Sequence, residues 1–553
     1  MYKYIAIMVA VLGLMPWVTT SCVKENQFVD DTSARLRFST DTIAFDTVFT
    51  TMGTTTKVLM VYNVYDEAVR LDRVALKSGY ASRFRLNVDG DTSMEVRNKV
   101  IAPHDSIFVF VKACINPNSM LEPFLVEDAI CFEWNSHVEE LPLTAYGRNA
   151  VYHNPTDSLY YAFVNEMGCP DTTWYPYSVI DCEGWDHTRP HVILGYGRVA
   201  PGKTLHLQPG ETLYFGSNSF LWVQGTLDAR GVAGRPVTFT SMRHDGYRDT
   251  LPGQWGYVWL ATGSVDNVMD WARVENGTVG LLVDTNVNGN PTLTITNTVV
   301  ENHSTAGIVG QGTRIEGDNV LVANCGVATM SLQYGGSYRF SNSTFANYWR
   351  YDTRKNPSLV LNNHYNYVDG NMVTVYPRDL RKAEFVNCIV YGNYTGLNGE
   401  GEIDFDAIEQ AQFNVSFDHC LLRTGLLDSM DVPEARLLIN RDPQFVNERG
   451  REFHLLPSSP AIGAGWWGGV TRTYDLDNRA RSNPPTIGAY EYRDTSELKL
   501  KYKPNTTNAT CTAISPAHWQ KLLLPMRSSI ARGSAISLRS PSPRTLKSKT
   551  RKR

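Results

Sequence analysis

The sequence predicts an all-β chain in which a β-sandwich of short strands precedes a long solenoid of stacked strands. Between residues 28 and 152, short segments alternate apolar and polar side chains and are separated by turn residues, a pattern typical of a sandwich. From residue 191 onward, β-rich segments recur at a period of about 22 residues, which indicates a solenoid. With 553 residues the chain is also too long for one compact core, so we expect two or more domains.

The N-terminal residues have the organisation of an export signal. Lys3 precedes an apolar segment at 5–18, which is too short to span a membrane comfortably but suits a signal-peptide core. The following Thr19-Thr20-Ser21-Cys22 resembles the lipobox of bacterial lipoproteins, in the loose form of Bacteroidetes-type bacteria. The resemblance implies a signal peptide at 1–21, lipidation of Cys22 and an anchor linker at 22–27. A cleaved secretory signal with an incidental cysteine is the alternative.

The lipobox resemblance also implies a location. Acyl chains on Cys22 would bind a lipid bilayer with about 0.8 kcal/mol per buried CH₂ group. We therefore expect an exported protein that is anchored to the outer membrane, at the cell surface. No later segment is long and apolar enough to suggest a transmembrane helix.

Residues 28–152 resemble the immunoglobulin-like accessory domains of large bacterial surface proteins, which usually act as spacers. The resemblance rests on the segments at 45–48, 61–63, 101–105 and 143–147. Two cysteine pairs each enclose a short interval and are plausible disulfides in an exported chain: Cys114–Cys131 and Cys169–Cys182. Buried free thiols are the alternative.

Residues 153–190 are rich in Tyr, Pro, Asp and Trp and show no clear period. We interpret them as a linker and an N-terminal cap. A coil of parallel strands has an open end whose backbone groups would pair with other strands, so such an end has to be covered.

Asparagines recur at equivalent places in the repeats. We expect them to form a structural ladder, because stacking coils about 4.8 Å apart brings equivalent side-chain amides within hydrogen-bonding distance. A ligand-binding face is the alternative. The two series are Asn297, Asn319, Asn342 and Asn387, and Asn276, Asn302, Asn324 and Asn347.

Motifs at both ends of the solenoid resemble those of right-handed parallel β-helix proteins. The segments at 202–215, 223–227 and 236–241 are similar to the first coils of such proteins. Those at 442–446, 453–455, 458–465 and 487–491 are similar to the C-terminal motif of the polysaccharide-lyase-like group called choice-of-anchor Q, although Gly463 stands where Asp is frequent. The resemblance implies a right-handed, pectin lyase-like parallel β-helix at 191–492, with a motif that closes its last coils, and polysaccharide as a partner.

Two insertions interrupt the repeat and carry the candidate functional residues. The insertion at 348–382 mixes cations with aromatic rings, which suits a sugar chain, and the one at 399–410 is acidic and could bind Ca²⁺. Extended solvated loops packed by tyrosines are the alternative. The candidate catalytic residues are Arg350, Arg354, Lys355 and His364; the candidate substrate-binding residues are Trp349, Tyr351, Tyr365 and Tyr367; and the candidate calcium ligands are Glu402, Asp404 and Asp406. We expect Trp255, Trp259 and Trp271, which lie in regular repeats, in the core.

Charge is distributed unevenly along the chain. Residues 501–553 contain twelve Lys or Arg and no acidic residue, so the remainder holds 52 − 12 = 40 basic against 56 acidic residues, a balance of −16. An acidic body does not attract nucleic acid, which we do not expect as a partner. Residues 493–553 are predicted to be a basic disordered tail; binding to acidic glycans and translation from a shifted reading frame are both compatible with its composition.

Two functions remain open from the sequence. The first is a membrane-anchored surface lipoprotein whose β-helix binds polysaccharide, or displays on it, without a defined catalytic site. The second is a polysaccharide lyase or glycoside hydrolase that acts on acidic glycans near residues 350–364.

Overall fold

The computed structural model describes residues 27–492, except 32, 50–55, 115–123, 165–169, 244–249, 286–289, 370–371, 395, 397–400 and 427–435. It forms two compact units that divide between Asn149 and Ala150. Within the described ranges, no helix has the length and apolar character that crossing a membrane requires. The predicted signal peptide at 1–21, Cys22, Cys169 and the tail at 493–553 lie outside the described residues.

The first unit is a sandwich of two sheets. In Ser106–Ala113 every second residue is buried, and the inward side chains of both sheets form one core. One sheet has the order β1 (Arg37–Phe38), β3 (Lys57–Tyr62), β7 (Ser106–Ala113), β5 (Phe84–Val88). The other has the order β2 (Ile43–Phe49), β9 (His137–Arg148), β8 (Phe124–Trp134), β4 (Val69–Leu76), β6 (Glu95–Ile101), and a 3₁₀ turn lies at Gly79–Ala81.

The predicted Cys114–Cys131 disulfide is wrong. Both thiols are free, with Cys114 exposed and Cys131 buried. Cys131 lies on β8 between Ile130 and Phe132, whose side chains enter the core between the sheets, so its own side chain points to the opposite face. Cys114 follows β7, which belongs to the other sheet, and the two side chains therefore do not meet.

The second unit is a parallel β-helix, so the predicted order of a β-sandwich followed by a parallel β-helix is confirmed. Its first sheet has, among the described residues, ten strands that are parallel except for an N-terminal hairpin. In sheet order they are β11 (Asp157–Val164), β12 (Pro170–Val179), β14 (Tyr196–Val199), β17 (Phe220–Val223), β20 (Val258–Leu260), β23 (Val279–Val283), β25 (Ala306–Gln311), β27 (Ala328–Gln333), β30 (Leu359–Asn362) and β35 (Ile403–Asp406).

The second sheet covers the other two sides of each coil, because β24 and β26 bend and take part in both. Its strands are, in sheet order, β10 (Val151–His153), β13 (His191–Ile193), β15 (Thr204–Leu207), β16 (Thr212–Phe215), β18 (Thr226–Arg230), β19 (Val237–Ser241), β21 (Asn267–Asp270), β22 (Ala272–Glu275), β24 (Leu293–His303), β26 (Arg314–Cys325), β28 (Gly336–Ser341), β29 (Thr344–Asn347), β33 (Leu380–Val386), β34 (Ile389–Gly392), β36 (Phe413–Asp418), β37 (Leu421–Leu422) and β38 (Leu438–Ile439). Two hairpins lie outside the coil, β31 (His364–Asp369) with β32 (Met372–Pro377) and β39 (Phe445–Asn447) with β40 (Glu452–Leu455); 3₁₀ turns occur at Glu448–Gly450 and Trp467–Gly469.

The segment at 153–190, expected to form a linker and an N-terminal cap, contains a β-hairpin. β10 pairs in parallel with β13, and the β11–β12 hairpin extends the first sheet through the β12–β14 pairing. The hairpin thus satisfies the backbone groups at the open edge of this sheet. These strands were not predicted, because their tyrosines and prolines form no periodic pattern in the sequence.

The asparagines stand at the bends of successive coils. At the first bend Asn297, Asn319, Asn342 and Asn387 have φ values of 48°, 54°, 45° and 54°, in the left-handed region that asparagine tolerates better than most residues. Asn319 Nδ2 donates to Asn297 Oδ1 at 3.0 Å and Asn387 Nδ2 to Asn342 Oδ1 at 3.1 Å, whereas Asn342 Nδ2 donates to Asp318 at 2.9 Å. Each asparagine thus adopts the backbone conformation of the bend, and its side-chain amide bonds the neighbouring coil.

Only part of the second asparagine series combines a positive φ with hydrogen bonds between side-chain amides. Asn276, Asn302 and Asn324 also have positive φ, and Asn302 Nδ2 donates to Asn276 Oδ1 at 2.7 Å. Asn347 instead bonds both backbone groups of Cys325, accepting from its N–H at 3.0 Å and donating to its carbonyl at 2.9 Å. The last member of the series therefore pairs with backbone rather than with another amide.

The C-terminal motif lies along the side of the coil rather than over its last coils. Apolar residues between Phe445 and Ala489 pack on outward-facing side chains of the second sheet, from Leu321 to Leu421. Polar contacts join it to the asparagine bends: Arg481 Nη2 donates to Asn319 Oδ1 at 2.7 Å, and Trp466 N–H to Asn387 Oδ1 at 2.7 Å. This segment, residues 443–491, is called the clamp below.

Candidate functional site

The outer surface of the first sheet carries a group of aromatic side chains on successive coils. Trp222 is flanked by Leu221 and Val223, and both of these enter the core of the coil, so the indole points outward. The same alternation directs neighbouring residues outward in register. We call this surface the aromatic face; it consists of Tyr196, Arg198, Phe220, Trp222, Tyr257, Trp259, Leu282, Asp284 and Val309.

The rings of the aromatic face form two columns along the coil axis. In the first, the ring centroids of Tyr196 and Phe220 are 4.6 Å apart and those of Phe220 and Tyr257 are 4.7 Å apart. In the second, Trp222 and Trp259 are stacked at 5.8 Å. Trp222 and Tyr257 are buried, so the ring surface that solvent can reach comes from the partly buried Tyr196, Phe220 and Trp259.

Polar groups border these rings. The Arg198 guanidinium lies 5.1 Å from the Trp222 ring centroid and is oriented by Gln224, which accepts from Arg198 Nε at 2.7 Å. Trp222 Nε1 is buried and has no acceptor among the described residues.

Asp284 is the carboxylate of this surface. Its Oδ2 accepts from Trp259 Nε1 at 3.0 Å and from Thr262 Oγ1 at 3.3 Å. Burial raises the pKa of the Asp284 carboxyl, although these two hydrogen bonds oppose the shift. The Asp284 carboxyl therefore takes up a proton more readily than a solvent-exposed aspartate does.

Some of the candidate residues in the two insertions lie at the far end of the first sheet. Asp404 and Asp406 belong to β35, where they pair in register with Val360 and Asn362. His364 is buried, and its Nε2 lies 3.6 Å from Asp406 Oδ2. Tyr365, with Tyr367 two residues further on β31, packs against Tyr334 with 5.1 Å between ring centroids. These predicted residues therefore lie at the same end of the first sheet.

The predicted calcium ligands are not brought together. Glu402 is fully buried and forms an ion pair with Arg354, and it also accepts from the backbone N–H groups of Ser358 at 3.0 Å and Tyr394 at 2.8 Å. Its carboxylate is thus occupied, while Asp404 and Asp406 lie on the outer surface. Among the residues that the structure describes, no three His, Cys, Asp or Glu side chains are arranged to hold a metal ion.

The candidate catalytic residues also occupy separate places. Arg354 is buried in its pair with Glu402; burial lowers the pKa of Arg354 and raises that of Glu402. Lys355 is exposed, and His364 lies beside Asp406. Trp349, Arg350 and Tyr351 line a depression that no residue of the aromatic face borders. These residues do not converge on one reacting centre.

The expectation that Trp259 belongs to the core is wrong, whereas Trp255 is buried and stacks on Phe215 at 4.2 Å. Trp271 is only partly buried, at a bend with φ of 48°. Trp259 was missed because the strand is apolar on both faces, so alternation does not reveal which residues point outward. The available signal was the recurrence of an aromatic residue between aliphatic ones at 222 and 259.

Asp284 is too far from the carboxylates of β35 to act with them as a pair. Asp284 and Asp404 are separated by the coils of β25, β27 and β30, so four coil spacings, about 19 Å, lie between them. Paired acid and base catalysis of glycoside hydrolysis needs carboxyl groups within about 10 Å. Asp404 and Asp406 lie two residues apart on one face of β35, about 7 Å from each other, and fall within this range. Asp284 and the ring columns offer hydrogen bonding and ring stacking instead.

No family model matches the sequence, and no curated protein matches it either. Solved structures with some likeness include the pectate lyase Pel9A (TM-score 0.26, 12% identity, 55% of this chain and 88% of that chain). A GH87 α-1,3-glucanase from Streptomyces thermodiastaticus aligns with TM-score 0.21 and 11% identity over 66% of this chain and 79% of that chain. A family 123 glycoside hydrolase from Clostridium perfringens aligns with TM-score 0.15 and 6% identity over 20% of this chain and 25% of that chain. These low scores carry no argument about activity.

Proposed function

We propose that the protein is a membrane-anchored surface lipoprotein that binds a polysaccharide chain along the aromatic face of its β-helix. The observation that carries the proposal is the pair of ring columns on consecutive coils. The partly buried rings of Tyr196, Phe220 and Trp259 suit the apolar C–H groups of sugar rings, and the bordering Arg198 suits their hydroxyl groups.

The direction of the columns favours a polymer. Successive rings are related by the coil spacing of about 4.8 Å, so the surface repeats along the coil axis. An extended glycan lying parallel to this axis would meet a ring at several consecutive units. Several weak contacts then add up to useful affinity, provided that they engage at the same time.

Replacing Tyr196 or Trp259 with alanine is expected to weaken polysaccharide binding about 10- to 30-fold, because truncating an aromatic contact at a binding surface costs about 2 kcal/mol. Affinity electrophoresis of the full chain against a panel of neutral and acidic polysaccharides measures the change. Phe108→Ala is the matched control, since Phe108 is an aromatic residue of the β-sandwich and is 46% exposed. A circular dichroism spectrum and a melting curve establish that the variants fold.

Two results would contradict the binding role. The first is unchanged affinity of both Tyr196→Ala and Trp259→Ala for every polysaccharide that the parent chain binds. The second is turnover: unsaturated or reducing-end products from any polysaccharide of the panel would favour the lyase or hydrolase alternative.

The anchor makes a separate prediction. Thr19-Thr20-Ser21-Cys22 after the apolar segment supports lipidation of Cys22, so the mature chain should begin with an acylated cysteine. Mass spectrometry of the N-terminal peptide from the native protein measures this. A mature N-terminus at another residue, or an unmodified Cys22, would refute the anchor, and Cys22→Ser is expected to release the protein from the membrane fraction.

A further inference from the structure

One sheet of the β-sandwich exposes large apolar side chains on its outer face. β7 buries every second residue, so Phe108 and Phe110 point away from the core. In the neighbouring β3, Met60 pairs in register with Phe108, and Val58 pairs with Phe110. Phe108 and Val58 are nearly half exposed, and the two phenylalanine rings are stacked with 6.1 Å between their centroids. These four side chains, Val58, Met60, Phe108 and Phe110, are called the sandwich patch below.

Cations border the sandwich patch at one end of the sheet. Lys112 is the next outward residue of β7 after Phe110, and it lies directly opposite Arg85 of β5. Arg83 is separated from Arg85 by the fully buried Phe84, so it projects from the same face. The side chains of Arg83, Arg85 and Lys112 are all exposed. Like charges directly opposite each other on one face destabilise a sheet, so a bound anion would lower the free energy at this end of the patch.

Carboxylates do not balance these cations. Among the described residues of this sheet, no Asp or Glu projects outward from a strand. Asp105 precedes β7 and is seven residues from Lys112, which is about 24 Å along the strand. Asp89 follows the other end of β5 and already pairs with Lys99 at 2.5 Å. Asp41 follows β1, the edge strand on the opposite side of the sheet from β5. The cationic end of this face therefore keeps its positive charge.

From this geometry we infer that the sandwich patch binds the surface of an anionic lipid bilayer. The phenylalanine rings enter the boundary between headgroups and acyl chains, and Arg83, Arg85 and Lys112 contact the headgroup phosphates. The inference rests on the proposed lipid anchor, because β1 begins fifteen residues after Cys22 and this stretch spans at most about 50 Å. Acyl chains on Cys22 therefore keep the sandwich within reach of the bilayer.

A bilayer fits this surface better than a second copy of the chain does. A stable protein interface uses about 20–30 residues on each side, whereas the sandwich patch and its bordering cations comprise seven. A fluid bilayer needs no such area, because a few apolar side chains and cations contribute without matching a fixed shape. The patch therefore supplies a second, reversible contact beside the acyl anchor.

Vesicle cosedimentation of the mature chain from residue 22, carrying Cys22→Ser so that no acyl chain contributes, tests the inference. The vesicles contain equal parts of phosphatidylglycerol and phosphatidylcholine, or phosphatidylcholine alone. The charge of the basic residues at 501–553 is the same in every variant, so the readout is the difference between variants. Arg85→Gln/Lys112→Gln should weaken binding to the anionic vesicles about 30-fold, since each cation near such a surface contributes about fivefold. Phe108→Ser/Phe110→Ser should weaken it about tenfold, because less apolar surface leaves water.

Arg70→Gln/Arg97→Gln is the matched control, because it removes two exposed arginines from the other sheet of the sandwich. Its binding to the anionic vesicles should equal that of the Cys22→Ser chain, and circular dichroism establishes that each variant folds. Equal binding of the Cys22→Ser chain to both kinds of vesicle, or an equal loss in the two variants that lack two cations, would overturn the inference. Dimers that form without lipid and that Phe108→Ser/Phe110→Ser abolishes would assign the patch to a second copy instead. An unmodified Cys22 in the native protein refutes the anchor but leaves the differences between vesicle variants in place, so the two failures are distinguishable.

Discussion

Glu402→Gln is expected to lower the free energy of unfolding of the β-helix by about 3–5 kcal/mol, the usual cost of leaving one partner of a buried ion pair unpaired. The side chains of Arg354 and Glu402 are only 3% and 0% exposed, so the Arg354 charge would remain in a poorly solvated place. The carboxylate also accepts from Ser358 and Tyr394 N–H, which ties the insertion at 348–382 to the one at 399–410. Urea unfolding followed by tryptophan fluorescence measures the change.

An exposed ion pair supplies the comparison for Glu402. Glu384 lies 2.7 Å from Lys382 and 3.2 Å from Arg339 and is 31% exposed, so Glu384→Gln should cost less than about 1 kcal/mol. The double variant Arg354→Met/Glu402→Leu removes both charges and should recover much of the stability that Glu402→Gln loses. If Glu402→Gln were no more destabilising than Glu384→Gln, the buried pair would not hold the insertions in place.

Phe385→Ala is expected to cost a similar amount, about 3–5 kcal/mol, through a cavity in the core of the coil. Phe385 is fully buried on β33, and its ring lies between Phe340 at 6.0 Å and Phe417 at 5.0 Å, with Phe345 edge-on at 6.1 Å. Removing the middle ring of this stack deprives three others of a contact in neighbouring coils. The midpoint of urea unfolding should fall while its slope stays unchanged.

Val373→Ala is the control for Phe385. Val373 lies on the β31–β32 hairpin and is 57% exposed, so its truncation should change stability by no more than about 0.5 kcal/mol. A loss below about 1 kcal/mol in Phe385→Ala would mean that the ring stack relaxes around the cavity and that coil packing does not depend on it.

The features of this fold that form local sequence patterns could be predicted, and the others could not. The sandwich and the repeat were predictable, because strict alternation and the recurrence of asparagine at bends are local patterns. The aromatic face was not, since Leu221, Trp222 and Val223 are all apolar and conceal which side points outward. The positions of the strands were therefore predicted better than the directions in which their side chains point.

The insertions were the least predictable part of the candidate site. A repeat determines where residues lie only if they follow its period. The segment at 348–382 does not follow the period, so the sequence could not predict that Arg350 and Arg354 lie at separate sites. Arg449 and Arg451 line the same depression as Trp349, because the tight turn at Glu448–Gly450 brings a different part of the chain beside it. Only the three-dimensional path of the clamp brings them beside Trp349.

The clamp changes how the coil can come apart. In a plain solenoid each repeat touches only its neighbours, so coils can fray one at a time from either end. Here one C-terminal segment contacts coils from Thr296 to Leu421, so losing any of them disturbs contacts shared with the rest. These coils should open as one cooperative unit, and the chain can reach that state only after residues close to Glu491 have been synthesised.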